Sequence, residues 1–382
     1  MKYLPLLLAN LTRRKVRTIL TVGSFAVALF LFGLLYTIRG AFNAGIEVAG
    51  ADRIVSINKV SIIQPLPIAY RDRILKAVPG IKEITYASWF GGVYQDEKNF
   101  FPQFGVDPTT WRAMYPEYLL SDKEWADFAS NKTAAIAGEY TAKRFGWKVG
   151  DRIPIRGVFY QGTWEFDLVG IYKGKRKQDD TSMFWFRMDY LHERGPEWGR
   201  GNVGWYVARL QPGADATAVS KAVDELFANS AFETRTQSEQ FFMASWMKQM
   251  GNIEFLMATI GGVVFFTLLL VTGNSMAMSV RERTGEMAVL KAIGFGDLFV
   301  LVLVLIETLL IAFAGGGLGL LGIKLFTVFG GDPTGGLFPV FYFSPTGIAA
   351  GLGITLAVGI AAGLLPALSA MRLQVVQAFR RV

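Results

Sequence analysis

Residues 19–38 read ILTVGSFAVALFLFGLLYTI, from Ile19 to Ile38, without one charged side chain, and Arg17 and Arg39 flank them. At a rise of about 1.5 Å per residue, a helix of this length crosses a hydrocarbon core about 30 Å thick. Three further runs have the same character. Phe255 to Val280 carries no charge, Leu298 to Ile323 is interrupted by Glu307 alone and ends at Lys324, and Ile348 to Leu368 contains Pro366 and precedes Arg372. A secretory signal peptide is the competing reading of the first run. Its basic flank fits and Gly40-Ala41 could mimic a cleavage site, but the apolar stretch exceeds the usual core of roughly 7–15 residues.

Composition agrees with membrane spans. Of 382 residues 52% are hydrophobic and 18% charged, against roughly 25% charged in an average soluble chain. The net charge of +8 is concentrated at Lys2, Arg13, Arg14, Lys15 and Arg17 and again at Arg372, Arg380 and Arg381. Nucleic-acid binding would want a basic face on a folded domain, whereas basic flanks of apolar runs report membrane orientation. Both ends and the segment holding Arg281, Arg283 and Lys291 are basic, while between Phe326 and Ala349 there is Asp332 and no Lys or Arg. The expected topology therefore has cytoplasmic N- and C-termini in the inner (cytoplasmic) membrane.

The predicted fold is a membrane α-helical protein of four transmembrane helices, with a large α+β extracytoplasmic domain inserted between helices 1 and 2. Its expected segments are a cytoplasmic amphipathic N-terminal stretch (1–18), helix 1 (19–39), a periplasmic domain (40–253) and helix 2 (254–280). A cytoplasmic coupling segment (281–297), helix 3 (298–324), a short periplasmic loop (325–345), helix 4 (346–368) and a cytoplasmic tail (369–382) follow. The N-terminal stretch, with Tyr3, Leu4, Leu6, Leu7 and Leu8 beside basic residues, resembles a helix lying in the headgroup layer of membrane lipids.

Within the inserted domain two similar units are predicted. The first is a strand at Arg53–Val60, a helix at Ile68–Val78 and a strand at Ile84–Tyr94. The second is a strand at Gly204–Leu210, a helix at Ala214–Phe227 and a strand at Phe232–Thr236. Between them, Trp147 to Ile155 reads as a turn entering a strand, Thr163–Tyr172 as a strand and Lys173 to Lys177 as a solvated basic turn. Aromatic residues such as Phe100, Phe101, Phe184, Trp185, Phe186, Phe241 and Phe242 fit either a core or a greasy groove.

Enzymatic chemistry finds little purchase. The chain has no cysteine and one histidine, His192, which leaves no thiolate chemistry and no multi-histidine metal site. No phosphate-cradling G-x-x-x-x-G-K-[ST], no H-E-x-x-H and no G-x-S-x-G occurs. The expectation is a protein with no catalytic, metal or cofactor-binding residues. In the spans, Gly315, Gly319, Gly359 and Gly363 stand at the spacing that lets helix backbones approach closely. Glu307 is a carboxylate within an apolar run and should face protein or water, as an interhelical hydrogen-bonding group or a proton site.

The stretch Asn274-Ser275-Met276, followed by Arg281-Glu282-Arg283-Thr284-Gly285-Glu286-Met287-Ala288-Val289-Leu290-Lys291-Ala292-Ile293-Gly294, resembles the loop between the second and third spans of the MacB/FtsX/LolC-like (type VII, mechanotransmission) ABC permeases. Ile306-Glu307 with Gly315-Gly316-Gly317-Leu318-Gly319, and the tail from Pro366 to Arg380, are similar to that family's third span and closing motif. Gly285, Ala288, Val375 and Gln377 depart from its usual residues. The resemblance implies a permease that pairs with a cytoplasmic ABC ATPase dimer and with a second permease copy or paralogue, relaying ATP-driven motion to the external domain. ATP and Mg would then be bound by the partner ATPase. A periplasmic adaptor and an outer-membrane channel are further implied partners. The segment from Arg281 to Ile293 can form a short amphipathic helix, and Arg281, Glu282, Arg283, Glu286, Leu290 and Lys291 are the expected ATPase-coupling residues. Export of an apolar or amphiphilic substrate, extraction of lipoprotein or lipid, and FtsX-like control of a cell-wall hydrolase are the functions in competition.

Overall fold

The computed structural model describes residues 14–48, 50–176, 179–249, 253–330 and 341–373. The expectations placed on 1–13, on Lys177, on 331–340 and on 374–382 lie outside the described residues. The chain divides into two compact units, one formed by residues up to 40 together with 252–331 and those after 340, the other chiefly by residues 41–251.

The first unit is a helical bundle. Four helices, Lys15–Val48, Ile253–Glu282, Asp297–Phe329 and Pro345–Met371, are long and apolar enough to cross a membrane. They are the first to fourth spans below. The first helix continues past the predicted residue 39, because nothing between Ala41 and Val48 supplies a proline or another helix stop. The fourth opens with Pro345 at its start and the Ser344 hydroxyl accepting from the Gly347 N–H at 3.2 Å, which satisfies an orphan donor of the first turn. Span hydroxyls are also satisfied locally. Thr37, Thr308 and Thr355 each donate to the carbonyl four residues back, so they carry no bare polar group into an apolar medium.

The inserted unit is built on β-strands. In chain order they are β1 (Arg53–Asn58), β2 (Leu66–Pro67), β3 (Ile81–Trp89), β4 (Gly92–Val93) and β5 (Gln103–Val106). Then come β6 (Tyr118–Leu119), β7 (Ala134–Gly138), β8 (Arg152–Gly157) and β9 (Gly162–Gly174). The last are β10 (Phe184–Arg187), β11 (Asn202–Val203), β12 (Trp205–Leu210) and β13 (Thr234–Ser238). The main sheet runs β13-β1-β12-β3-β5-β10-β7-β9-β8-β4.

Its first four strands, with the helices Tyr70–Ala77 and Ala216–Leu226, make a β-α-β-β-α-β unit in which the two halves interleave. The two predicted strand–helix–strand units are the halves of that motif. Alternation along β1 decides the layers. Ile54 joins Ile74, Val78, Val219 and Val223 on the helical face, where Tyr70 and Phe227 stack at 3.7 Å. Val55 and Ile57 meet Met114 and Val207 on the other face, as the two-residue period of a strand requires.

The residues between the halves extend this sheet and bend it back. The predicted strand Ile84–Tyr94 is interrupted at Phe90-Gly91, where Gly91 takes φ +64°, a backbone region that suits glycine. Strand β4 then pairs with β8 at the far end of the sheet, although only two residues separate it from β3. The Gln103 carboxamide bridges the turn, accepting from the Gly92 N–H at 2.7 Å and donating to its carbonyl at 3.0 Å, so the exposed edge is satisfied by a side chain. Phe90 stands inside against Trp164, Phe166 and Phe186 at ring separations of 5.3, 5.9 and 5.3 Å. Phe101, Phe184, Trp185 and Phe186 are core, while Phe100 and Phe241 are exposed.

Candidate functional site

The second span ends at Glu282, and a short connector helix, Thr284–Ala292, follows after Arg283. The Thr284 hydroxyl donates to the Arg281 carbonyl at 2.8 Å, covering an acceptor that the helix end would leave bare. The connector closes on Gly294 at φ +107°, with Gly294 N–H to Lys291 O at 3.1 Å and Phe295 N–H to Leu290 O at 3.1 Å. That is the two-bond stop in which glycine occupies the left-handed position. The helical segment predicted from Arg281 to Ile293 is thus broken at Arg283, since Arg281 and Glu282 complete the preceding span.

At this corner three spans and the connector are tied by charge. Glu282 accepts from Arg17 Nη2 at 2.7 and 2.6 Å and pairs with Arg14 at 3.0 Å. Arg283 Nη1 donates to Glu307 Oε2 at 2.7 Å, and its Nε to Glu286 Oε2 at 3.2 Å. Thr21 and Ser275 hydroxyls meet at 3.2 Å between the first and second spans. These groups line a cavity of about 170 Å³. Arg14, Arg17 and Arg283 face Glu282, Glu286 and Glu307, so charge balances inside it. The Glu307 side chain is 6% exposed and that of Arg283 13%. Removing one partner of such a pair leaves the other buried and uncompensated, at a cost of about 3–5 kcal/mol in a fully dry site.

Lys291 reaches the fourth span. Its Nζ donates to the carbonyls of Met371 at 2.6 Å and Leu373 at 2.9 Å and pairs with Asp297 at 2.7 Å. A cation here meets the bare carbonyls of a helix C-terminus. Among the residues expected to couple, Arg283 and Lys291 therefore point into the bundle and Glu282 toward the first span. Arg281 is exposed, and Leu290 is half-buried. The outward side of the connector is apolar instead: Val289 is 45% and Ile293 71% exposed, while Met287 and Ala288 are buried. The spacing of Val289 and Ile293, one helical turn apart on the side opposite Met287 and Lys291, carried that signal.

The glycines mark close helix approaches. A Cβ on Gly315 would lie 2.3 Å from the Val22 carbonyl oxygen, and one on Gly319 2.3 Å from that of Ala26, both on the first span. Gly359 and Gly363 face Leu309, Ala312 and Thr308 of the third span, where added Cβ atoms would come within 2.8–3.1 Å of side chains. Packing of this closeness is what holds apolar helices together when no hydrophobic drive is available.

A second charged cluster lies within the inserted unit. Arg53, at the start of β1, bonds Glu239 at 2.6 Å and Glu117 at 2.8 Å and lies 4.6 Å over the Tyr115 ring. The Gly50 N–H also donates to Glu239 at 2.7 Å. Glu239 opens the helix Glu239–Gln249 that precedes the second span. Burial opposes the Arg53 charge, but Glu239, Tyr115 and Glu117 hold its pKa above the usual arginine range. Burial, with Glu239 beside it, pushes the Tyr115 hydroxyl well up. His192 bonds the Asn202 carbonyl at 2.8 Å, and Arg176 of the basic turn pairs with Asp179 at 2.9 Å.

Four apolar spans with an α+β domain inserted after the first, and a charged connector after the second, define a membrane permease-type architecture. A model of the MacB-like periplasmic core domain matches residues 18–226, and one of the FtsX-like permease C-terminal region matches 258–375. The chain belongs to the MacB/FtsX-like family of ABC transporter permeases, and the inserted unit is its extracytoplasmic domain. An ABC transporter permease of Bacillus subtilis is 34% identical, over 90% of this chain and 86% of its own length. One of Methanocaldococcus jannaschii is 23% identical, over 83% and 81%. The macrolide export ATP-binding/permease protein MacB of Shewanella oneidensis is 28% identical over 72% of this chain, which spans 43% of that protein's length. The solved periplasmic region of MacB from Actinobacillus actinomycetemcomitans is 12% identical, with a TM-score of 0.38, over 53% of this chain and 95% of that one.

Proposed function

We propose that this chain is the permease subunit of an ABC transporter that carries ATP-driven motion from a separate ATPase to its extracytoplasmic domain, which exports or extracts an apolar or amphiphilic substrate outside the bilayer. The observation that carries the reading is the wiring of the connector helix. Through Glu282 it reaches the first span, through Arg283 and Glu307 the third, and through Lys291 the end of the fourth. A push on Thr284–Ala292 is thereby distributed to every span. Val289 and Ile293 are the apolar knobs left for an ATPase groove, with Arg281 as a flanking charge. In this reading the connector and both termini are cytoplasmic in the inner membrane, ATP and Mg sit in an ATPase dimer, and a second permease chain completes the unit. An adaptor and an outer-membrane channel would follow only in the export version.

The test is retention of an ATP-hydrolysing subunit by the tagged full chain from detergent-solubilised membranes, comparing wild type with the double variant Val289→Asp/Ile293→Asp. Wild type should keep the subunit. The variant should lose at least about tenfold of it, since burying a charge in place of an apolar anchor costs more than the roughly 1.4 kcal/mol that a factor of ten represents. Equal retention by both would remove the connector from the coupling surface.

A further inference from the structure

The second span is the least covered of the four. Within its apolar window 11% is buried inside the molecule, against 28%, 44% and 33% for the first, third and fourth. Its uncovered residues form a line. Leu256, Ile260, Val263, Thr267, Leu270 and Asn274 are all exposed and follow one another in alternating steps of four and three. That is the spacing of a helix packed along another helix. The residues turned to the bundle, Leu268, Thr272 and Met276, are buried.

Polar groups on this line differ in one respect. Thr267 donates to the Val263 carbonyl at 2.8 Å and needs nothing from outside. The Asn274 carboxamide has no hydrogen-bond partner among the described residues. It stands about 12 Å along the helix from Glu282, eight residues at about 1.5 Å each, inside an otherwise apolar run. An amide there wants both a donor and an acceptor. On a two-fold axis a residue meets its own counterpart, so the group must be self-complementary. An amide is; a carboxylate or an ammonium would repel its twin. A single asparagine on a helix-pairing seam also sets register and strand number.

We infer that the uncovered face of the second span is the docking surface for a second copy of this chain, with the two Asn274 carboxamides bonded reciprocally across a two-fold axis along the membrane normal. The inference rests on the permease reading, in which one pair of chains serves one ATPase dimer, and it assigns the surface and the residue that fix that pair.

Because the chain contains no cysteine, single-cysteine variants of the full protein can be oxidised in native membranes without background. Val263→Cys and Leu270→Cys should give a disulfide-linked dimer of this chain, while Leu268→Cys and Leu352→Cys, on the buried side and on the fourth span, should not. Adding Asn274→Val, or separately Asn274→Asp, should lower the dimer yield at Val263→Cys by about three- to thirty-fold, the range for one interhelical amide pair in a membrane. No dimer at either seam position, equal dimer at Leu352→Cys, or a cross-linked band containing a different protein would each overturn the docking surface. An unchanged yield in both Asn274 variants would overturn the role of Asn274. ATPase retention is scored on the same membranes. If the subunit is retained while the seam fails to cross-link, only this inference falls; if wild type retains none, the permease reading falls.

Discussion

The bundle and the inserted domain each carry one carboxylate–guanidinium cluster, and the two are built to different ends. In the domain, Arg53, Glu239 and Glu117 have side chains 5%, 8% and 14% exposed, closed over by Tyr115. They join the strand that enters the domain to the helix that leaves it. In the bundle, Arg283 and Glu307 are almost as covered, but Glu282 is 35% and Arg14 62% exposed, and the whole group borders a cavity. A sealed network gains from the low dielectric only while every member stays paired, so it resists rearrangement. One that water reaches can exchange partners at small cost, because exposed pairs are worth about 0.2–1 kcal/mol each. The lesson is a division of labour: a rigid lever outside and an adjustable joint where the connector meets the spans.

The comparison is broken most severely by Arg53→Ala. All tryptophans of the chain lie in the inserted domain, between Trp89 and Trp246, so their fluorescence follows that unit alone. Loss of the arginine should destabilise it by about 3–5 kcal/mol, read as a markedly earlier tryptophan transition in the thermal melt of the full chain in detergent. Arg283→Ala should act on the other unit. A loss of about 1.5–3 kcal/mol, the worth of a hydrogen bond to a charged group that water can partly replace, should shift the helical transition and leave the tryptophan transition in place. A matching shift in both would mean that the two clusters are not separate devices.

The smallest effect sharpens the picture of a sealed domain. Burial pushes the Tyr160 hydroxyl up to about 12, and burial with Asp107 nearby does the same for Tyr86. A hydroxyl whose folded pKa is raised keeps its proton longer than the unfolded chain does. Its stabilisation is complete below about pH 10, the unfolded value, and is lost as pH rises through about 12. Alkaline titration at 295 nm should show these tyrosines ionising together with the tryptophan transition. Ionisation near pH 10 in the folded protein would contradict their burial.

Much of the scaffold was legible because it rests on local pattern. Uncharged runs long enough to cross a bilayer locate the spans, and the strand–helix–strand stretches beginning at Arg53 and at Gly204 locate both halves of the domain motif. Strand β4 was not, because its pairing with β8 depends on a bend at Gly91 and on the Gln103 carboxamide. The joint was legible in residue type but not in direction. Charges after the second span advertise a contact, yet whether Arg283 and Lys291 face a partner or their own bundle depends on helix phase after the break at Arg283. Pairing of Arg17 with Glu282 joins residues 265 positions apart, and no periodicity reports such a distance. Counting the faces of the connector would have turned attention from its charges to Val289 and Ile293.

The central claim is that nucleotide-driven motion at the connector is relayed to a domain that stays internally rigid. Spin labels on Val60→Cys and Phe159→Cys, both well exposed in the inserted domain, report its internal distance, and a label pair on Val60→Cys and Ile293→Cys reports the relay. In the complex with its ATPase, exchanging ADP for trapped ATP should leave the first distance distribution unchanged and shift the second. A second distribution that stays put, or a first that moves with nucleotide, would contradict the account.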